Sequence, residues 1–251
     1  MKIFRTYDLL FILLVFTSCG KKYNIDGVSS VDLIDGRMLY LKAYTNGDSD
    51  WVNIDSSEIV HGKFIMKGKV DSDMMASLYM DDECIMPLVL EDGHIHINIS
   101  QQENVATGTP LNDTLYTFVK RKNSLTDMLD DLQHKEARLV LNGGDYDEIH
   151  RVLSMRADSI VKATNDYVKQ VITHNYNNVV GQNIFLMLCN SMPYPIITPI
   201  ISDIIKGAPE SFKKQQLINE FLTKAKENRQ IIAERQRMEQ NIQIKKSGYN
   251  Y

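Results

Sequence analysis

Residues 92–99 read DGHIHINI and form the most regular stretch of the chain. Apolar and polar side chains alternate strictly along it: Ile95, Ile97 and Ile99 against His94, His96 and Asn98. An alternation of period two is typical of a strand with one face in the core and the other in solvent. Asp92-Gly93 is a turn pair. The stretch therefore predicts a β-strand that follows a tight turn.

Shorter alternations of the same kind occur on the N-terminal side of this stretch. They cover residues 38–43, 51–55 and 63–67. Turn pairs separate them: Asp35-Gly36, Asn46-Gly47, His61-Gly62 and Asp81-Asp82. Many short strands with turns at this spacing predict an antiparallel β-sandwich or partial barrel from Tyr23 to about Gly108.

Past Thr109 the apolar residues recur with the period of helices. Asn112 and Asp113 are candidate caps of a first helix, and Asp145 is the candidate cap of a second that runs from Tyr146 to about His174. Three more helices are predicted: one over residues 179–189, one from Thr198-Pro199 to residues 207–209, and a polar one from about Glu210 past Met238. The sequence thus predicts an α+β chain that ends in a helical bundle.

The first residues have the layout of a signal peptide. Lys2 and Arg5 precede an apolar run at 9–16, and the small residues Thr17 and Ser18 precede Cys19. The run is too short to cross a bilayer as a helix. Small residues before a cysteine resemble a bacterial lipoprotein box, which implies cleavage before Cys19 and acylation of its thiol. An ordinary secreted protein cut near Ser18 is the alternative.

Three segments follow from these patterns. Residues 1–18 are a predicted lipoprotein signal peptide, residues 19–109 a β-sandwich domain, and residues 110–251 an α-helical domain with a polar C-terminal helix or tail. Acyl chains on Cys19 would hold the protein at a membrane. Residues 20–22, Gly-Lys-Lys, lack the acidic run that resembles a surface-export signal in related lipoproteins. We therefore expect a cell-envelope protein on the outer membrane that faces the periplasm.

Composition and cysteine content narrow the function classes. Hydrophobic residues make up 43% of the chain, charged residues 24%, and the formal net charge is -4, which fits a globular protein and argues against a nucleic-acid partner. Apart from Cys19 the chain has only Cys84 and Cys189. These two either form a bridge or stay unpaired, and we expect two buried, inert thiols because free cysteine is among the most buried residue types.

The order of several motifs resembles a known module. They occupy residues 23–27, 35–41, 55–68, 88–97 and 107–113. Together they look like the N-terminal domain of unknown function of envelope lipoproteins that carry a C-terminal thioredoxin-like domain of the alkyl hydroperoxide reductase and thiol-specific antioxidant superfamily. Residues 174–181 resemble the helical connector of those proteins, and the resemblance extends from Tyr23 to Arg229. The chain has no Cys-x-x-Cys motif, so we expect the thioredoxin domain and its chemistry to be absent.

Two kinds of candidate site come from individual residues. His94 and His96 lie two apart on a predicted strand and would share one face, a spacing that suits a metal, although no third ligand is identifiable. Their alternative interpretation is two outward residues on a half-exposed strand. Four aromatic residues would line a binding face if they share the outer side of the sheet, or else belong to the core: Tyr40, Tyr44, Trp51 and Tyr79.

We expect a non-catalytic, lipid-anchored envelope protein that binds a partner protein or small ligand through the β-domain, without a cofactor. One alternative is an accessory redox protein in which Cys84 or Cys189 exchanges disulfides with a separate thioredoxin-like protein. The other is a metal-binding module that uses His94 and His96. Residues 224–246 have a thin apolar stripe, which indicates either a helix for a protein partner or homodimer, or a solvated, frayed tail.

Overall fold

A computed structural model describes residues 20–44 and 51–247. Eight strands come first: β1 Lys21–Ser29, β2 Met38–Tyr44, β3 Trp51–Glu58, β4 Lys63–Val70, β5 Met74–Met80, β6 Glu83–Leu90, β7 Gly93–Ile99 and β8 Asn104–Thr107. Six α-helices follow: α1 Pro110–Leu141, α2 Tyr146–His174, α3 Val179–Asn190, α4 Pro199–Gly207, α5 Glu210–Lys213 and α6 Gln216–Ser247. The α+β class is confirmed.

The strands form two four-stranded sheets. Sheet A has the order β4-β1-β7-β8 and sheet B the order β3-β2-β5-β6. All neighbours are antiparallel except β1 and β7, which run parallel. The inward side chains of both sheets belong to one hydrophobic core, in which Ile25, Leu41 and Leu78 are fully buried. The β-sandwich that the alternating pattern predicts is therefore confirmed.

The stretch DGHIHINI forms β7 and its preceding turn as predicted. Ile95, Ile97 and Ile99 point into the core, and the residues between them are exposed. The strand lies between β1 and β8 in sheet A. Gly93 has φ +126°, a conformation that side chains rarely adopt, so the turn requires glycine.

Strands β5 and β6 show why alternation reveals only part of the sandwich. Three consecutive residues are buried in each of them: Ala76, Ser77 and Leu78, and Leu88, Val89 and Leu90. Helix α3 packs against β5 and helix α1 against β6, so these segments are covered on both faces. A strand buried on both sides reads as a continuous apolar run rather than as an alternation.

The β6 edge of sheet B is closed by side chains of α1. The backbone N–H of Val89 donates to Asn112 Oδ1 at 2.9 Å, and its carbonyl accepts from Asn112 Nδ2 at 2.8 Å. Two residues along the same edge, the carbonyl of Pro87 accepts from the Tyr116 hydroxyl. The first turns of α1 thus bond to β6 where a further strand would, and the unpaired edge that invites aggregation is removed.

Helix α1 begins earlier than the sequence predicts. Asn112 and Asp113 are not its caps, because the helix starts at Pro110 and Thr109 occupies the N-cap position. Glu91, from the turn before β7, accepts the free N–H groups of Leu111 and Asn112 at 2.9 and 3.0 Å. The prediction was wrong because a carboxylate distant in sequence satisfies the helix start, which leaves the Asn112 side chain for β6.

For α2 and α4, the capping residues predicted from the sequence are confirmed. Asp145 caps α2 by accepting from the N–H of Glu148, and Thr198 caps α4 by accepting from that of Ile201, both as predicted. The predicted last helix is interrupted after Lys213 and resumes at Gln216, and it continues as a helix to Ser247.

Residues 174–181, which resemble a helical connector, have a structural role in this fold. Asn178 caps α3 by accepting from the N–H groups of Val180 and Gly181. The Tyr176 hydroxyl donates to the carbonyl of Ile204, and its ring packs edge-on against Phe212 at 4.8 Å. This segment therefore holds α3, α4 and α5 together.

We predict that Asn112→Ala lowers the free energy of unfolding by about 3 kcal/mol. The substitution leaves both polar backbone groups of Val89 buried without a partner, and each such group costs roughly 1–3 kcal/mol. Asn123→Ala is the matched control, because Asn123 is exposed on the same helix. Urea unfolding measures both variants, and equal losses would contradict the proposed edge closure.

Candidate functional site

An aromatic surface covers part of the outer side of sheet B. It consists of Tyr40, Tyr44, Trp51 and Tyr79 with Lys42 among them, and is called the aromatic face below. Tyr40, Lys42 and Tyr44 alternate along β2 with residues that are fully buried. Tyr44 lies opposite Trp51 on β3, and Tyr40 opposite Tyr79 on β5. The four aromatic residues therefore share the outer side of the sheet, as the binding interpretation requires.

The rings of the aromatic face contact one another. Tyr44 and Trp51 pack edge-on with centroids 5.1 Å apart, and Trp51 meets Tyr79 at 6.0 Å. Lys42 Nζ lies 4.5 Å from the centroid of the Tyr79 ring, within cation–π range. Trp51 is nevertheless 47% exposed and Tyr44 49% exposed. The rings are thus held in place by their neighbours while much of their surface stays in contact with solvent.

Cys84 lies beside the aromatic face. It is exposed and is the cross-strand neighbour of Tyr79. Partial burial raises the pKa of Tyr79, and the adjacent Cys84 adds to this rise. The prediction that Cys84 is buried was wrong, because an irregularity in the β5–β6 register between Leu78 and Tyr79 turns Cys84 outward.

Cys189 has the environment that the sequence predicts. It lies on α3 in the core, and burial raises the pKa of its thiol to about 12. Cys84 and Cys189 are both free thiols. Of the two, Cys84 alone is accessible to a reagent or a partner in the folded protein.

The two histidines of β7 lie on the outer side of sheet A. His94 Nδ1 is 2.8 Å from Asn24 Nδ2 and 3.6 Å from a carboxylate oxygen of Asp26. His94 and His96 are both exposed. Within residues 20–44 and 51–247, no group of three or more His, Cys, Asp or Glu side chains is placed to hold a metal ion. The metal hypothesis gains no support from this geometry.

A groove of about 360 Å³ lies between α1 and α2. Asp113 accepts from the backbone N–H of Gly108, His174 bonds to the carbonyl of Gln170, and Asn175 donates to that of Val171. These polar groups of the groove already bond to the protein itself. The aromatic face is therefore the stronger candidate for recognition.

The predicted lipidation residue, Cys19, lies outside the described residues. The described chain begins at Gly20, and β1 starts with the next residue. No helix in the described part of the chain combines the length and apolar character needed to cross a membrane.

The fold is a β-sandwich domain joined to a helical bundle. Residues 23–115, which span the β-sandwich and the start of α1, match the family model of Domain of unknown function (DUF4369). The match includes Asn112, so the contact that closes the β6 edge of sheet B lies within the matched residues. No curated protein matches the chain.

We predict that the Cys84 thiol reacts with Ellman's reagent in the native protein and that the Cys189 thiol reacts only after unfolding. The exposed residue is Cys84, whereas the raised pKa and burial of Cys189 keep it protonated and inaccessible. Cys84→Ser should abolish the native reaction, and Cys189→Ser should preserve it. Cys19 is replaced by Ser in every sample so that it does not contribute to the count. Reaction of neither thiol before unfolding would contradict the structure.

Proposed function

We propose that this protein is a non-catalytic, lipid-anchored envelope protein that binds a partner protein through the aromatic face. The observation that carries the proposal is the group of mutually packed rings at Tyr44, Trp51 and Tyr79, of which Tyr44 and Trp51 are about half exposed. Tryptophan and tyrosine dominate the energetics of protein interfaces because they combine a large apolar area with few rotatable bonds.

The shape of the aromatic face favours a protein over a small ligand. Small molecules bind in concave pockets that enclose most of their surface. The aromatic face lies on the outer side of a sheet, and Lys42 adds a cation close to the Tyr79 ring. A broad surface with central aromatic residues and a charged group suits a macromolecular partner with apolar and acidic groups.

The lipid anchor rests on the N-terminal sequence. The short apolar run, the small residues at 17 and 18, and Cys19 support acylation at that cysteine. Residues 20–22 support retention at the outer membrane on the periplasmic side. In the resembling lipoproteins the same module precedes a thioredoxin-like domain, which motivates the choice of a protein partner in the envelope.

We predict that Trp51→Ala reduces partner binding about 30-fold, the effect of losing roughly 2 kcal/mol at an interface hot spot. Crosslinking in cells followed by mass spectrometry identifies the partner, and titration with the purified partner measures affinity. Trp51 is the only tryptophan of the chain, so its fluorescence reports binding directly in the unmodified protein. Binding to the Trp51→Ala variant is measured by calorimetry.

Tyr194→Ala is the matched control for this experiment. Tyr194 is 50% exposed, like Trp51, but lies between α3 and α4. Its loss should leave partner binding unchanged. Equal recovery of the partner with both variants would exclude the aromatic face, and turnover of a substrate by the purified protein, abolished by a single substitution, would exclude the non-catalytic role.

We predict that Cys19→Ala abolishes incorporation of labelled palmitate. Acylation requires the thiol, and without acyl chains the anchoring free energy is lost. Cys84→Ala controls for acylation at another exposed cysteine and should incorporate label normally. Label that persists in Cys19→Ala would show that the anchor is elsewhere or absent.

The exposure of Cys84 supports a second candidate function. Its thiolate would attack a disulfide of a thioredoxin-like partner, form a mixed disulfide and release one partner thiolate. The resolving thiol must then come from the partner, because Cys189 is buried. A native Cys84 that does not react with Ellman's reagent would exclude this role.

The C-terminal part of α6 supports the proposal of a further contact between proteins. Ile231 is 48% exposed and Met238 64% exposed on a helix that runs to Ser247. An exposed apolar stripe of this kind suits a partner helix or a second copy of the chain.

A further inference from the structure

A cluster of lysines lies on the outer side of sheet A, on the opposite side of the sandwich from the aromatic face. Its members are Lys22 on β1 and Lys63, Lys67 and Lys69 on β4, called the lysine face below. All four are exposed, and none forms an ion pair with another described residue. Lys21 differs, since its Nζ lies 2.6 Å from Asp73.

The strand register places like charges next to each other. Lys22 lies directly opposite Lys69, and Lys67 precedes Lys69 by two residues on the same side of β4. Like charges in directly opposed positions destabilise a sheet. Lysines on an edge strand such as β4 do discourage aggregation, but Lys22 is on β1, which has a neighbour on both sides. Fold stability therefore does not account for this cluster.

Apolar groups lie among the lysines. Ile65 is 56% exposed and Val28 is 49% exposed, and both point outward from the same sheet. Asp26 is the only acidic residue in the four strands of sheet A, all of which are described. The formal charge of the whole chain is -4, so the positive charge of this face is a local property.

Strand β1 brings the lysine face close in sequence to Cys19, the proposed site of the lipid anchor. Lys22 is the third residue after Cys19, a reach of at most about 11 Å. Acyl chains on Cys19 would hold Lys22 and its neighbour Lys69 close to the headgroups. At physiological salt the Debye length is about 8 Å, so charges held this near a membrane surface interact with it.

We propose that the lysine face docks on an anionic lipid bilayer, so that the sandwich lies on the membrane with its aromatic face directed away from it. The inference rests on the proposed lipid anchor. Lysine ammonium groups would pair with headgroup phosphates, and Ile65 and Val28 would enter the headgroup layer. A basic patch beside an acyl anchor adds to its hold on an anionic membrane.

The test uses the chain from Gly20 to Tyr251, which contains every described residue and has no acyl group. It is floated with vesicles of phosphatidylcholine that contain 30% phosphatidylglycerol, and with vesicles of phosphatidylcholine alone. We expect it to float with the anionic vesicles and to stay behind with the neutral ones. High salt should release it, because the attraction is electrostatic.

Two triple variants separate the lysine face from net charge. Lys22→Gln, Lys67→Gln and Lys69→Gln together should lower the partition coefficient about 100-fold, since each lysine near an anionic surface contributes about a fivefold factor. The control replaces Lys122, Lys135 and Lys224, which are exposed on helices, by Gln and should bind like the parent chain. Circular dichroism and thermal melting verify that both variants fold.

Three outcomes would overturn the proposal: no flotation with anionic vesicles, equal flotation with neutral ones, or equal losses in the two triple variants. Because the test protein has no anchor, these results do not depend on Cys19. If palmitate labelling of Cys19 fails, the flotation results with the unacylated chain still stand.

Discussion

The paired hydrogen bonds between Asn112 and the backbone of Val89 are the contact on which the arrangement of the protein depends. Asn112 is completely buried, and its amide supplies the donor and the acceptor that a neighbouring strand would supply. It also donates to Glu91, whose carboxylate satisfies the start of α1. One side chain thereby closes a sheet edge and fixes the direction in which the helices leave the sandwich.

The attachment of the helices leaves two surfaces of different chemistry free. Helices α1 and α3 cover β6 and part of β5, and the outer sides of β2 and β3 remain open with Trp51 and its neighbours. The outer side of sheet A carries Lys22 and the β4 lysines instead. Since the two sheets of a sandwich face opposite ways, the proposed membrane contact and the proposed partner contact would not compete for the same surface.

Parts of the candidate site are visible in the sequence, and parts are not. The alternation of Tyr40, Lys42 and Tyr44 with small and aliphatic residues places them on one side of a strand, a strictly local inference. Their contact with Tyr79 requires the order of strands in the sheet. The exposure of Cys84 depends on a register shift with the neighbouring strand, and no pattern within β6 indicates it. The lysine pair Lys22 and Lys69 likewise arises only when β1 and β4 become neighbours.

The sequence by itself determined the features that neighbouring residues control. These include the α+β class, the alternation of β7, the turn at Asp92-Gly93, and the helix caps Asp145 and Thr198, because side-chain period and capping act within a few residues. The tertiary structure alone decided the parallel pairing of β1 with β7, the start of α1 at Pro110 and the closed edge at Val89. Each of these joins groups some 20 to 70 residues apart, and only packing of the complete core brings such groups together.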